Sequence, residues 1–310
     1  MIKMENTRDS ETLPPLTETA IKRVWEGVAA ASNRTIRHTI ETTLNGLSAI
    51  DQEYGERRVN ANIRRCVVRS LIHSLFCIKV ENIENIPHTP AILAANHLHQ
   101  IDPLVLLTEI PTQPHYYILG DARTLYNKWW KRWILGFAGG VIPLERIWGE
   151  ELGVIAAAKT GRDDLKELAQ VIKDTVNPGG DMQTIRRIDR IVSAILARGD
   201  GLIIFPEGRL GTAEGYLHPF KRGTVIYALR GGIPIVPISL IGTHDLFLRK
   251  KLIVRVGEPL YFPPNTRPKR QEIDAALENL QQAIQALLPT DYQEPTGIKL
   301  LQNFLNRMLL

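Results

Sequence analysis

The stretch AILAANHLHQIDPLVLL, residues 91–107, decides how this chain is read. AILAAN (91–96) is a short apolar run without alternation, which predicts a strand buried on both faces. The polar loop HLHQID follows. Pro103 then stands at the favoured first position of a helix, with Leu104, Val105, Leu106 and Leu107 behind it. Strand, polar loop and helix in that order is the repeating piece of a parallel sheet. Functional sites in such sheets gather where strands end and loops lead into helices.

Outward from this stretch the same alternation continues. IKVENI precedes it as a short strand, and IPHTP makes a turn. HYYILG, VIPLER, GLIIFPEG, PIVPISLIG and KLIVRVGEPL follow as further strands. LYNKWWKRWILGFAGG, residues 149 to about 175, TIRRIDRIVSAILARG, GTVIYALRGG and QEIDAALENLQQAIQALL carry helical spacing between or after them, with NPGGD as a break. The expected fold is α/β, a mostly parallel central sheet flanked by helices. Residues 16 to about 50 read as one or two helices and Gly55 as a boundary, which gives an N-terminal helical extension. The expected organisation is 1–60 extension, 61–290 α/β domain opened by a basic amphipathic helix, and 291–310 an amphipathic tail.

The chain has 310 residues, 44% hydrophobic and 23% charged, enough apolar material for a sizeable core. Cys66 and Cys77 are too few for a disulfide framework and are expected to be plain buried residues in a reducing compartment. No run approaches 18 apolar residues, which argues against a conventional transmembrane helix. MIKMENTRDSETLPP lacks the basic start and apolar centre of a secretory signal. The net charge is +5, yet Arg57, Arg58, Arg64, Arg65, Arg69 and Lys79 form a basic run with no acid among them. Such a run suits an anionic partner. Nucleic acid is not expected: aromatics are 6% and no nucleic-acid-binding motif is present.

Residues 62–78 read as a helix with Ile63, Val67, Leu71, Leu75 and Ile78 along one side. Two readings stand. The helix packs by that side with its arginines in water, or it lies on a membrane with its arginines at anionic headgroups. The tail GIKLLQNFLNRMLL, with Ile298, Leu301, Phe304, Leu305 and Met308, likewise either docks on the core or touches a bilayer.

Within HLHQID, His97 lies five residues before Asp102. A carboxylate that accepts from one imidazole nitrogen fixes the tautomer and leaves the other nitrogen free to take a proton, the arrangement of a general base. The plainer reading makes Asp102 the N-cap of the helix that Pro103 opens. His97, His99 and Asp102 are also possible metal ligands by type. Their spacing departs from His-x-His-x-Asp-His, so no metal site is expected.

Four blocks now stand in order: NHLHQID (96–102), GVIPLER (140–146), FPEGRLG (205–211) and IPIVPISLIG (233–242). Together with ENIENIPHTPAILAANH, LHPFKRGTVIYAL and VRVGEPL around them, they resemble the glycerolipid acyltransferase superfamily, whose blocks are NHxSxxD, GxxFxxR, FPEGTRS and a VPV-type strand. The resemblance spans about residues 62–285. It implies an enzyme that moves a fatty acyl group from acyl-CoA or acyl carrier protein to the hydroxyl of a glycerophosphate or lysophospholipid, 1-acylglycerol-3-phosphate foremost. His97 would be the base and Asp102 its orienting carboxylate. Arg146 would meet the acceptor's phosphate, Glu207 and Gly208 would belong to the acceptor site, and Pro237 would shape the acyl or acceptor pocket. No cofactor is implied beyond the acyl donor, and the enzyme would sit peripherally on the cytoplasmic face of a lipid bilayer. Read as residues alone, Arg146 could be a surface ion-pair partner and Glu207 a helix cap.

The chain departs from the pattern in three places. His99 replaces the serine of the first block, and Pro143 the phenylalanine of the second. The third block puts Arg209 one residue before the usual arginine position, which holds Leu210. Arg209, with Lys221 and Arg222 nearby, could still reach a phosphate. It could equally accompany a different acceptor, so a non-phosphorylated acceptor and a catalytically silent lipid-binding scaffold remain alternatives. The stretch of about 147–204 is long and predicts an additional helical element.

Overall fold

The computed structural model describes residues 13, 15–48, 61–129, 131, 140–176 and 182–308. Gly55, the NPGGD break and most of LYNKWWKRWILGFAGG lie outside the described residues. The elements run in this order: α1 Glu18–Ser32, α2 Arg34–Ser48, α3 Ala61–Leu75, β1 Cys77–Glu81, β2 Ile92–Ala95, α4 Asp102–Glu109, β3 Tyr116–Asp121, α5 Ala122–Tyr126, β4 Val141–Leu144, α6 Gly149–Lys159, α7 Lys166–Thr175, α8 Met182–Ala197, β5 Gly201–Ile204, α9 Gly223–Gly231, β6 Ile235–Ile241, β7 Lys251–Val256, α10 Arg270–Leu287 and α11 Gln302–Met308. The chain divides into two compact units. One holds 1–45, 120–134 and 143–187, and the other 46–119, 135–142 and 188–310.

The sheet has the order β1-β7-β6-β2-β5-β3-β4. β2 is parallel to β5 and β6, β5 to β3, and β1 to β7; β7 is antiparallel to β6. All four residues of β2, all four of β5 and all seven of β6 are buried. That is the burial an unbroken apolar strand demands when both faces are covered. Because β2, β5 and β6 are parallel, their carboxyl ends share one edge. The loops that begin at Asn96, Phe205 and Gly242 therefore open side by side.

The first unit is helical around one core. Val24 and Val28 of α1 pack with Val154 of α6 and with Leu168 and Ile172 of α7. Among the described residues the long stretch after the second block holds α6, α7 and α8, the additional helical element expected there. Arg123 is buried against Glu151, with contacts of 2.5 and 3.1 Å, and lies over the Trp148 ring at 4.1 Å. Removing either partner of such a pair leaves an uncompensated buried charge, at about 3–5 kcal/mol.

Helix α3 corrects two expectations. It ends at Leu75, and Ile78 belongs to β1, because Cys77 N donates to Lys250 O (2.9 Å) and the chain there joins β7. Of its two readings, the packing one is contradicted by the outward apolar side. Val67 and Leu71 are 56% and 57% exposed, whereas Ile72 is buried. Arg65 turns inward and donates to the carbonyls of Thr108 (2.9 Å) and Glu109 (3.2 Å), which the last turn of α4 leaves open. The packing reading with its arginines in water therefore fails for Arg65. Cys66 is exposed on this outward side and Cys77 half-buried, so neither is the plain buried residue expected.

Candidate active site

Asn96 is the last fixed point before the loop. Its side chain donates to Leu240 O (2.9 Å) and accepts from Leu240 N (2.7 Å), imitating one more strand residue between β2 and β6. The loop then turns around Asp102, which is fully buried. Asp102 Oδ2 accepts from His97 Nδ1 (2.9 Å), Leu98 N (2.7 Å) and His99 N (2.8 Å). Asp102 is the first residue of α4 rather than its N-cap. Its carboxylate faces back onto the loop instead of onto the helix's own first N–H groups. With Nδ1–H committed to Asp102, the lone pair of His97 sits on Nε2, which has no hydrogen-bond partner among the described residues. The imidazole stacks on Phe205 at 4.2 Å and 24°.

The FPEG turn after β5 meets this loop directly. Glu207 is 1% exposed and both its oxygens are occupied by backbone: Oε1 accepts from His97 N (3.1 Å) and Oε2 from His218 N (2.9 Å). Burial raises its pKa above the ordinary carboxyl value, and those backbone donors only partly offset it. Gly208 sits at φ 63°, the left-handed conformation in which glycine carries no Cβ penalty. Gly211 N donates to His97 O (2.6 Å), and a Cβ at Gly211 would come within 2.8 Å of Leu98 Cδ2. The first and third blocks therefore interlock through a position only glycine fills without displacement. Arg209 is exposed, and a terminal nitrogen lies 3.0 Å from His218 Nδ1.

His99 occupies the other side of the loop. It is 8% exposed, and its Nδ1 accepts from Ile101 N (3.2 Å). Desolvation lowers its pKa, with Asp102 acting in the opposite sense.

The structure thus brings His97, Asp102, Glu207, Gly208 and Arg209 together. Pro237 lies inside the sheet, in register with Ala94, and its ring is what a Cβ on Gly257 would strike at 2.9 Å. It contributes shape to the sheet, below the level of the loops. Arg146 belongs to the first unit. It is 42% exposed, with Asp121 Oδ2 at 3.5 Å, and lines a cavity of about 270 Å³ with Arg37, Arg123 and Glu145. Asn96, Gly211 and His218 escaped the sequence reading as site residues. Asn96 and Gly211 lie within the two blocks and could have been found there.

The sequence model of the Acyltransferase family matches residues 77–241, more than half of the chain and all four blocks apart from the last residue. The chain belongs to the acyltransferase family. Among relatives in this family, the 1-acyl-sn-glycerol-3-phosphate acyltransferase of Limnanthes alba is 30% identical over 209 residues, 66% of this chain and 60% of that protein. The protein of the same name from Cocos nucifera is 39% identical over 94 residues, 29% of each. That from Bacillus subtilis is 27% identical over 217 residues, 68% of this chain and 87% of that protein. The chain spans 29% to 60% of the length of the first two relatives. The crystal structure of the 1-acyl-sn-glycerophosphate acyltransferase from Thermotoga maritima is similar with a TM-score of 0.45 and 16% identity, covering 89% of this chain and all of that one.

Proposed function

We propose that this chain transfers a fatty acyl group from acyl-CoA or acyl carrier protein to the hydroxyl of a glycerophosphate or lysophospholipid, 1-acylglycerol-3-phosphate foremost. The observation that carries the reading is the His97–Asp102 pair, held by three donors converging on one carboxylate oxygen. His97 Nε2 takes the proton of the acceptor hydroxyl as its oxygen attacks the thioester carbonyl. Asp102 holds the resulting imidazolium and stabilises its charge. The tetrahedral intermediate collapses, the C–S bond breaks, and the imidazolium returns the proton to the departing thiolate. The products are an ester and a free thiol, with no acyl-enzyme. A thioester already carries a good leaving group, so a positioned base in a fixed geometry suffices and the reading calls for no metal or prosthetic group.

Glu207 acts in this reading by holding the His97 backbone at the acceptor site, and Gly208 by making the turn that presents it. Arg146 and Arg209 are the phosphate contacts; both keep exposed guanidinium groups able to make bidentate bonds. Names of the relatives point to the same acceptor. The enzyme would work peripherally on the cytoplasmic face of a bilayer, and among the described residues no helix is long and apolar enough to cross one.

The test is a radiolabelled acyl-transfer assay with purified protein. Both donors are offered against glycerol-3-phosphate, 1-acylglycerol-3-phosphate and lysophospholipids, with His97→Ala in parallel. The expected result is an ester product that needs His97. An equal yield from His97→Ala would remove the mechanism.

A further inference from the structure

The C-terminal tail docks and yet keeps its apolar side outward. Leu305 is fully buried, and Asn306 clamps the connection between β6 and β7: Oδ1 accepts from Leu246 N (2.8 Å), and Nδ2 donates to Leu246 O (3.1 Å) and to Asp245 (2.9 Å). Lys299 reaches the same Asp245 at 2.6 Å. Ile298, Leu300, Leu301 and Phe304 are nevertheless 89%, 59%, 53% and 60% exposed. A tail selected only to dock would turn such side chains inward. Contiguous exposed apolar side chains mark an interaction surface.

Helix α3 shows the same sense, with Val67 and Leu71 out and Arg65 in. The two elements are stitched together by Leu248 and Arg249. Leu248 N donates to Leu300 O (2.9 Å), Arg249 N to Leu75 O (2.6 Å), and the Arg249 guanidinium to His73 O (3.1 Å). These residues follow β6, which is parallel to β2, so the stitched surface lies at the His97 edge of the sheet.

We propose that α3 and the C-terminal tail form one interfacial surface that docks on an anionic lipid bilayer and sets the His97 edge against it. Charge chooses the occupant. Residues 61–75 and 297–308 contain no acidic residue, while Arg249, Lys251 and Arg307 are exposed around the apolar side chains. Apolar residues rimmed by cations match acyl chains below anionic headgroups. A second copy of this chain would bring the same cations face to face. Of the α3 cations that the sequence offered to headgroups, Arg65 is committed to α4 and Arg69 lies 3.4 Å from Glu109. The proposal rests on the acyl-transfer reading only in that a lipid acceptor gives the surface its purpose.

The experiment is flotation of the purified full-length protein with vesicles of phosphatidylcholine and phosphatidylglycerol (3:1), which involves no turnover. Leu300→Ser/Leu301→Ser/Phe304→Ser should lower the vesicle partition coefficient about tenfold or more, and Val67→Ser/Leu71→Ser by a smaller factor. Circular dichroism checks that each variant is folded. Phe304→Trp, a milder change, should keep binding and show added fluorescence that lipids brominated in the acyl chain quench. Unchanged flotation of the tail variant, or no quenching of Phe304→Trp, would overturn the proposal. So would a tail-dependent dimer found by light scattering without vesicles. Tail-dependent flotation in a protein that transfers no acyl group to any acceptor would defeat the acyl-transfer reading and leave the surface standing.

Discussion

Two histidines stand two residues apart in one loop and do opposite things. His97 gives its Nδ1–H to Asp102 and turns a bare Nε2 outward. His99 accepts at Nδ1 from Ile101 N and is buried. The two rings therefore hold opposite tautomers. Residue type does not decide which is the base; partners do. A histidine whose remaining nitrogen is an unpaired acceptor can take a proton. One that is buried and spends its Nδ1 on its own loop is a strut. The same contrast separates the two carboxylates beside them: Asp102 serves a ring, whereas Glu207 serves only backbone N–H groups.

The comparison breaks most visibly at His97. His97→Ala is expected to lower kcat by about 10³–10⁴, near the upper range for losing a positioned general base. Its melting temperature should stay close to that of the parent, because Asp102 keeps its two backbone donors, Leu98 N and His99 N. Steady-state kinetics and a thermal melt check both halves. A fall of less than about tenfold would place the base elsewhere.

Asp102→Asn sharpens the same point. The amide offers one acceptor oxygen and two donors where the carboxylate accepts from three groups through Oδ2. If the oxygen keeps the two loop N–H groups, His97 loses the acceptor that fixes its tautomer. A loss of about 10²–10³ in kcat is expected, with KM little changed, because the tautomer matters in the transition state and hardly in binding. A change confined to KM would mean that Asp102 serves the loop and not the ring.

How much of this is legible in the sequence depends on how far the deciding partner lies along the chain. Strand β2, its loop and Pro103 are contiguous, so periodicity and helix-start chemistry reveal them. The place of β2 between β5 and β6 is carried by pairings across more than 100 residues, and the reversal of β7 against β6 leaves no local mark. The choice between the two readings of α3 is hidden for the same reason. Its arginines look solvated until Thr108 and Glu109, more than 40 residues away, present open carbonyls to Arg65. Glu207 is visible as part of a block, but the job it does is set by the N–H groups of His97 and His218. Asn306 carries no signal because its clamp on Leu246 and Asp245 is set by residues some 60 positions away.

Arg146 extends the contrast from fixed to loosely held groups. Asp102 is locked by three short bonds, whereas Arg146 is 42% exposed with its carboxylate partner at 3.5 Å. A group so exposed is screened by water, so its charge is worth little beyond a modest contact. Arg146→Ala should raise KM for a phosphorylated acceptor about tenfold and leave kcat nearly unchanged, the pattern of binding shared by ground and transition states. An equal rise for a neutral acceptor analogue would remove phosphate binding as its role.

The smallest effect separates the strut from the base by pH. Burial holds the His99 pKa below its ordinary 6.5, so below about that pH the unfolded chain takes up a proton that the folded site resists. The stability His99 contributes is therefore present above the unfolded value and lost as pH falls through the folded one. Glu207 has the opposite sign: its folded pKa is raised, so its contribution is fully present below the ordinary 4.5 and lost as pH rises through the folded value. Subtracting a variant from the parent isolates the histidine. Between pH 7.5 and 5.5 the melting temperature of the parent should fall more steeply than that of His99→Ser, while kcat at pH 7.5 falls only a few-fold, since the ring of His99 does not reach the reacting atoms. Parallel slopes would mean that the folded site takes up the proton as readily as the unfolded chain, leaving His99 protonated at the acid end of the range. It would then be a cation beside Asp102, and the opposition between the two histidines would collapse.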